Sequence, residues 1–150
     1  ASRWGNITEF KNFDLITPNE RETRFALADQ DSTVGKLCDL LQSSSKCKNL
    51  ILKLGDRGVF CLSGASRENS TYFSVDTFTS RAIDPVGAGD ALLAYSTLTM
   101  LASKSLVSAS ILGSIAASCE CEVDGNIPIT PENLLNKIKI LEQQISYTSK

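Results

Sequence analysis

Between Asp84 and Asp90 the chain reads Asp-Pro-Val-Gly-Ala-Gly-Asp and runs straight into the apolar segment Ala91-Leu92-Leu93-Ala94-Tyr95. Two glycines, Gly87 and Gly89, let the backbone turn sharply and approach a ligand with no side chain in the way. A helix opening there aims its unpaired N–H groups at whatever sits above it, which suits a developing anion and above all a phosphoryl group in transfer. Asp90 then stands at the first helical turn, where a carboxylate can take the proton of an incoming hydroxyl. A plainer reading also exists: Gly-Ala-Gly as a tight strand-to-helix turn, and Asp90 as an acid that favours the positive end of the helix dipole. Aspartates on both sides of the glycines weigh toward chemistry.

Composition narrows the alternatives. One hundred and fifty residues, 42% hydrophobic and 21% charged, are ordinary for one globular domain. A net charge of -2 supplies no basic field, and no Lys/Arg cluster is interleaved with aromatics, so nucleic acid is not expected as a partner. No apolar run approaches a membrane span and Ala1-Ser2-Arg3-Trp4 opens no secretory signal, so the expectation is a cytoplasmic enzyme or subunit. The chain has no histidine and five cysteines, with no C-x-x-C pair. That excludes Ser-His-Asp and Cys-His catalysis and argues against zinc or a disulfide framework. Proton transfer falls to carboxylates, Lys, Tyr or Cys, while Cys38 and Cys61, among apolar neighbours, are expected to be buried thiols.

The elements that must position the motif follow from periodicity and punctuation. Asp14-Leu15-Ile16 reads as the end of a buried strand. Thr17-Pro18-Asn19-Glu20 is a helix start, with Thr17 as cap, Pro18 at the first helical position and Glu20 as the capping acid, and the helix is expected from Pro18 to about Ala28. Ser32 is expected to cap a second helix on Val34, Leu37, Cys38 and Leu41, ended by Ser43-Ser44-Ser45. Asn49 to Leu54 reads as a mostly buried strand, halted by Gly55-Asp56-Arg57-Gly58. Val59 to Leu62 and Thr71 to Val75 read as further strands, the latter near a sheet edge, with a polar loop over Ser63 to Asn69 between them. From Gly89 to Leu101 the pattern is helical and apolar on more than one face, as for a helix held between a sheet and a second helical layer. Ser108 to Ala117 repeats that character. Thr130-Pro131-Glu132 opens a last helix carried by Leu134, Leu135, Ile138 and Leu141. Together these predict an α/β layered sheet in a single domain over residues 1–150 or in part of one.

Three segments in this order, Leu15-Ile16-Thr17-Pro18-Asn19-Glu20-Arg21-Glu22, Lys53-Leu54-Gly55-Asp56-Arg57-Gly58 and Asp84 to Asp90, resemble the successive signatures of the ribokinase-like (pfkB) carbohydrate kinases. The resemblance implies a doubly wound sheet with helices on both faces and ATP-dependent phosphorylation of a sugar hydroxyl. It implies Asp90 as the catalytic base, and the backbone N–H groups of Gly87, Ala88 and Gly89 as the anion hole for the moving γ-phosphoryl. Asn19 and Glu22 match the family's Asn-x-x-Glu, which implies a Mg²⁺- and phosphate-organising element working largely through water. Three residues apart, they share one helix face, and Mg²⁺ favours carboxylate oxygen with retained waters; alone, such a pair is more often a solvated helix face. Gly55 and Gly58 match the turn against the nucleotide phosphates. Lys53 could neutralise those phosphates or be a solvated strand end. Asp84 resembles the acid that helps hold a monovalent cation such as K⁺ beside the anion hole.

The pattern is departed from at two places. Pro85-Val86 replaces a more frequent Thr-containing pair, so a hydroxyl contact is lost there. Where relatives carry an Asn close to the nucleobase, this chain has Ser114. The stretch Glu122 to Asn126 is expected to form the loop beside base and cation, with no roles assigned within it. Family members also place a longer half before the Thr-Pro-Asn segment, carrying the sugar-binding glycines and lid. The expectation is therefore the C-terminal, nucleotide-side portion of a longer kinase, or a chain that pairs with a partner or itself to cover strand edges at Ile16 and Asn49. Arg3-Trp4-Gly5 ahead of Phe10 and the Leu15-Ile16-Thr17-Pro18-Asn19 stretch, with Lys53-Leu54-Gly55, look most like the heptose 7-phosphate kinase branch. Two other functions stay open: a non-catalytic nucleotide-binding or interaction module, and a nucleoside kinase of the same superfamily.

Overall fold

The computed structural model describes residues 5–64, 70–125 and 127–148, so residues 65–69 of the expected polar loop, residues 1–4 and Asn126 lie outside the described residues. Chain order is β1 (Leu15–Ile16), α1 (Glu20–Leu27), α2 (Val34–Ser45), β2 (Asn49–Lys53), β3 (Val59–Ser63), β4 (Thr71–Val75), α3 (Ala88–Ser103), α4 (Leu106–Cys121) and α5 (Pro131–Thr148). The four strands form one sheet in the order β1-β2-β3-β4, with β1 and β2 parallel and the other pairs antiparallel. Parallel strands need a long crossover, which α1 and α2 supply. The β2–β3 link is a 3-10 turn over Gly55–Arg57 whose ends are glycines at φ 69° and 77°, a conformation that costs other residues energy.

Alternation along β2 and β3 divides the core between the two faces of the sheet. Leu50, Leu52 and Leu62 meet Leu37, Cys38 and Leu41 of α2 on one face. Ile51, Val59 and Cys61 meet Leu92 of α3 and Leu106 of α4 on the other. The expected α/β sheet with helices on both faces is therefore present, and β4 is its last strand. Burial holds the Cys38 and Cys61 thiols far up their range, to about 12.

Several boundaries differ from the sequence expectation. Thr17 and Pro18 precede α1. Asn19 is its cap: its Oδ1 accepts the Glu22 N–H at 2.7 Å while Glu22 Oε2 accepts the Asn19 N–H at 3.0 Å, a reciprocal capping box. Glu20 instead pairs with Arg24 and Arg57. Pro18 fails as a helix start because its carbonyl is taken by the Lys53 N–H at 2.9 Å, which keeps it in the sheet. Thr33, not Ser32, caps α2, and the helix ends with the three serines as expected, Ser43, Ser44 and Ser45 forming its last turn and returning their hydroxyls to carbonyls of Asp39 and Leu41. β2 is no edge, being paired on both sides. The apolar α3 is not enclosed among the described residues: it packs on α4, and Leu93, Leu98 and Leu101 stay exposed, as does Leu135 of α5.

α3 and α4 approach closely because Gly113 has no side chain. A Cβ there would collide with Ser96 Oγ and stand 2.9 Å from the Leu92 carbonyl oxygen. The buried Ser96 hydroxyl donates to the Ala109 carbonyl at 3.0 Å. This pairing sets the direction of the α3 N-terminus, where the glycine motif lies.

Candidate active site

The first ladder does not stop at Ile16. A parallel bridge joins Asn19 to Lys53, so the α1 capping box and the end of β2 sit side by side. At the other wall, Gly87 adopts φ 88° and caps α3, which begins at Ala88. The two meet: Lys53 Nζ stands 2.9 Å from the point a Cβ on Gly89 would occupy. An ammonium therefore lies directly over the glycine turn at a helix N-terminus, and both features attract an anion.

The amides of this turn are unequal. The Ala88 N–H donates to the Pro85 carbonyl at 3.3 Å and the Asp90 N–H to the Gly87 carbonyl at 2.9 Å, whereas Gly87 and Gly89 N–H have no acceptor among the described residues. Of the three residues expected to offer amides to an anion, Gly87 and Gly89 therefore keep theirs free among the described residues, with Lys53 Nζ beside them. The Asp90 carboxylate is exposed on the first turn of α3 and takes no hydrogen bond among the described residues. Asp84 folds back, its carboxylate accepting the Val86 N–H at 3.0 Å.

From Lys53 and Gly89 a cavity of about 570 Å³ runs between the sheet and α4, within the size range of a small-molecule site. Asn19, Gly55, Gly58 and Ala88 line its polar end, Val59, Leu92 and Ala117 its apolar wall, and Thr77, Thr79 and Pro85 the loop side. Gly58 is required by space as well as by φ, since a Cβ there would strike the Val75 carbonyl oxygen. Ser114 also lines the cavity, only 7% exposed, and its Oγ has no hydrogen-bond partner among the described residues. A buried hydroxyl left unpaired is costly, so this is a place where a polar ligand atom fits.

Of the residues singled out from sequence, Asn19, Lys53, Gly55, Gly58, Ala88, Gly89 and Ser114 line one cavity. Gly87, Asp90, Glu22 and Asp84 do not line it; each is adjacent to a lining residue in the chain or, for Glu22, hydrogen-bonded to one. Ser118 and Cys121 were missed, although Ser114, Ala117, Ser118 and Cys121 recur at helical spacing and so share one face of α4. The loop contributions of Thr77, Thr79 and Ala82 carry no sequence signal, because nothing local in that stretch dictates its path. Burial raises the Cys121 thiol, helped by Glu122, Glu120 and Asp84 nearby.

An α/β sheet covered on both faces thus carries a cation and a glycine turn beside a cavity of small-molecule size. The chain belongs to the pfkB family carbohydrate kinases, whose family model matches residues 7–133. It is 29% identical over 116 residues to the bifunctional protein HldE of Helicobacter pylori, covering 75% of this chain and 24% of that protein. The crystal structure of ribokinase from Thermotoga maritima covers 84% of this chain and 42% of its own at 28% identity, with a TM-score of 0.71. Phosphofructokinase-2 from Escherichia coli in complex with potassium superposes with a TM-score of 0.75 at 21% identity, over 90% of this chain and 43% of that one. The chain thus spans about a quarter of the first relative and about two-fifths of the solved kinases. Among the described residues no helix is long and apolar enough to cross a membrane.

Proposed function

We propose that this chain carries the nucleotide-binding and phosphoryl-transfer centre of an ATP-dependent kinase acting on a hydroxyl of a sugar or sugar phosphate. The observation that supports this most is the Lys53 ammonium over Gly89 at the mouth of the cavity. In this reading the base and ribose of ATP occupy the apolar cavity with Ser114 as a polar contact, and the phosphates extend toward Gly55, Gly58 and Lys53. The free amides of Gly87 and Gly89 and the Lys53 ammonium stabilise charge on the transferring group. Asp90 takes the proton of the acceptor hydroxyl as its oxygen bonds to the γ-phosphorus and the bond to the ADP oxygen breaks.

Mg²⁺ suits the donors present. Glu22 spends Oε2 on the Asn19 N–H, and its other oxygen, with no hydrogen bond among the described residues, is a single carboxylate ligand of the kind Mg²⁺ takes alongside phosphates and water. No cluster of three His, Cys, Asp or Glu residues occurs among the described residues, so the metal would be shared with the nucleotide. Asp84 is the candidate neighbour of a monovalent cation such as K⁺. Heptose 7-phosphate is the acceptor the branch resemblance points to, and the residues presenting it would come from the remainder of a longer kinase or from a partner copy.

The test is phosphoryl transfer from ATP to heptose phosphates, ribose, fructose phosphates and nucleosides, with the unchanged protein and Asp90→Asn. Turnover should fall by about 10²-fold or more with nucleotide affinity retained. Near-normal turnover of Asp90→Asn would remove Asp90 as the base. A titration of this chain with ATP, with and without Mg²⁺, tests the nucleotide site separately; no binding at millimolar ATP would leave only a structural module. A monomeric chain that is fully active on a sugar by itself would refute the need for a further half.

A further inference from the structure

We infer that Glu122, held by Lys137, is a positioning residue that latches the 76–86 segment and so sets the loop wall of the cavity and the approach to Gly87. The inference rests on the nucleotide reading for its consequence, though the latch itself is a matter of geometry. Between the end of β4 at Val75 and the start of α3 at Ala88 the chain has no regular structure. It supplies Thr77, Thr79, Ala82 and Pro85 to the cavity. Such a segment has no ladder to hold it, and its path depends on where its few backbone bonds go.

The bonds that tie it to the rest of the fold converge on one place. Glu122 Oε1 accepts the Ser80 N–H at 2.8 Å and the Ser80 hydroxyl at 2.9 Å. The carbonyl of the preceding residue, Cys121, accepts the N–H of Ile83 at 2.7 Å and of Asp84 at 3.2 Å. Both anchors sit at the C-terminus of α4, Cys121 as its last residue and Glu122 as its cap, so the segment is tied to the helix end that also lines the cavity.

Glu122 is an odd residue for that position, because an acid at a helix C-terminus opposes the dipole. Lys137 of α5 offsets this: its ammonium donates to both Glu122 oxygens at 2.8 Å. The two side chains are only 12% and 23% exposed for Lys137 and Glu122 respectively, so the pair is better shielded than an ordinary surface bridge. Partial burial alone would raise the Glu122 carboxyl, but the bonds from Lys137 and Ser80 outweigh it and hold the group below its ordinary range. α5 is itself fixed in register, by a Thr130–Asn133 capping exchange at 3.1 and 3.2 Å and by the Tyr95 hydroxyl on the Ile129 carbonyl at 2.8 Å. The latch therefore connects the last helix of the chain to the phosphate end of the site.

Two readouts on the full chain separate the latch from the nucleotide reading. The first is amide hydrogen exchange without ligand: Glu122→Ala should speed exchange at Ser80 by about tenfold or more, the loss of a bond to a charged acceptor, with α2 amides unchanged. The second is ATP titration: Glu122→Ala and Lys137→Met should weaken binding about tenfold, while Lys137→Arg, which keeps the charge, stays within about twofold of the unchanged protein. If Glu122→Ala does not fold, Glu122→Leu, which keeps the bulk and has no acceptor, carries both measurements. Unchanged exchange at Ser80 in a folded variant overturns the latch whatever ATP does. Faster exchange with unchanged ATP affinity overturns its positioning role. Failure of the unchanged chain to bind ATP overturns the nucleotide reading and leaves the exchange result to decide the latch.

Discussion

Replacing Gly89 with alanine should separate folding from function. Gly89 does not occupy the left-handed region, and the atom that an added Cβ would meet from elsewhere among the described residues is Lys53 Nζ, at 2.9 Å, the free end of a flexible side chain. Alanine in a helix is favoured over glycine by about 0.5–1 kcal/mol, and swinging a lysine tip aside costs little against that. The thermal midpoint of Gly89→Ala should therefore hold or rise by roughly 1–4 °C for a chain of this size. The ammonium, however, is pushed off the glycine turn. A charge-assisted contact contributes about 1.5–3 kcal/mol, so ATP affinity should fall on the order of 10- to 100-fold. Adenosine, which has no phosphates, should bind both proteins alike. Calorimetric titration with ATP and adenosine, beside circular-dichroism melting, reads all three quantities. In the double variant with Lys53→Met the losses should not add, because both remove one interaction. Full ATP affinity in folded Gly89→Ala, or additive losses, would refute the placement of Lys53 as the phosphate cation.

Other outcomes follow from the same geometry. Gly113→Ala should destabilise by about 1–3 kcal/mol, because its Cβ meets Ser96 and a backbone oxygen rather than a flexible tip; a melt no lower than that of the unchanged protein would contradict the close α3–α4 packing. Cys38 and Cys61 have folded values raised to about 12 from 9.0. The stability this reflects is fully present below pH 9 and should be lost above it, at about 1.4 kcal/mol per pH unit for each thiol. Denaturant melts from pH 8 to 11 would show this slope, and Cys38→Ala with Cys61→Ser should flatten it. Glu122 has the opposite sign: its depressed carboxyl adds stability above the unfolded value that disappears as pH falls through the folded one. The difference in melting between the unchanged protein and Glu122→Gln should therefore close in acid. Finally, Cys121 is the one partly exposed cysteine and lines the cavity, so a thiol reagent should label it ahead of the other four, and saturating ATP should slow the reaction.

Local chemistry made much of this protein legible from its residues. The apolar runs in Asn49–Lys53 and Val59–Ser63, the turn between them and the apolar helices after Gly87 are short-range patterns, and they appear where hydrophobicity and glycine placement put them. The Asn19–Glu22 pair shows the limit of such reading. From sequence it was a helix face, whereas the structure makes it the cap of α1, because the Lys53 N–H captures the Pro18 carbonyl and delays the helix. That partner lies 35 residues away, beyond any local signal. The same is true of Lys53 itself, which sequence left undecided between solvated strand end and phosphate cation. Its place over Gly89 depends on where β2 ends relative to α3, which packing of α3 on α4 and of α4 on the sheet decides. Local chemistry along the chain dictates the strands, the glycine turn and the types of group available, since these depend on sequence neighbours. Tertiary structure alone decided which of those groups share a cavity, which amides stay free, and that Glu122 and Lys137 hold the loop beside it, since these depend on contacts between residues far apart in the chain.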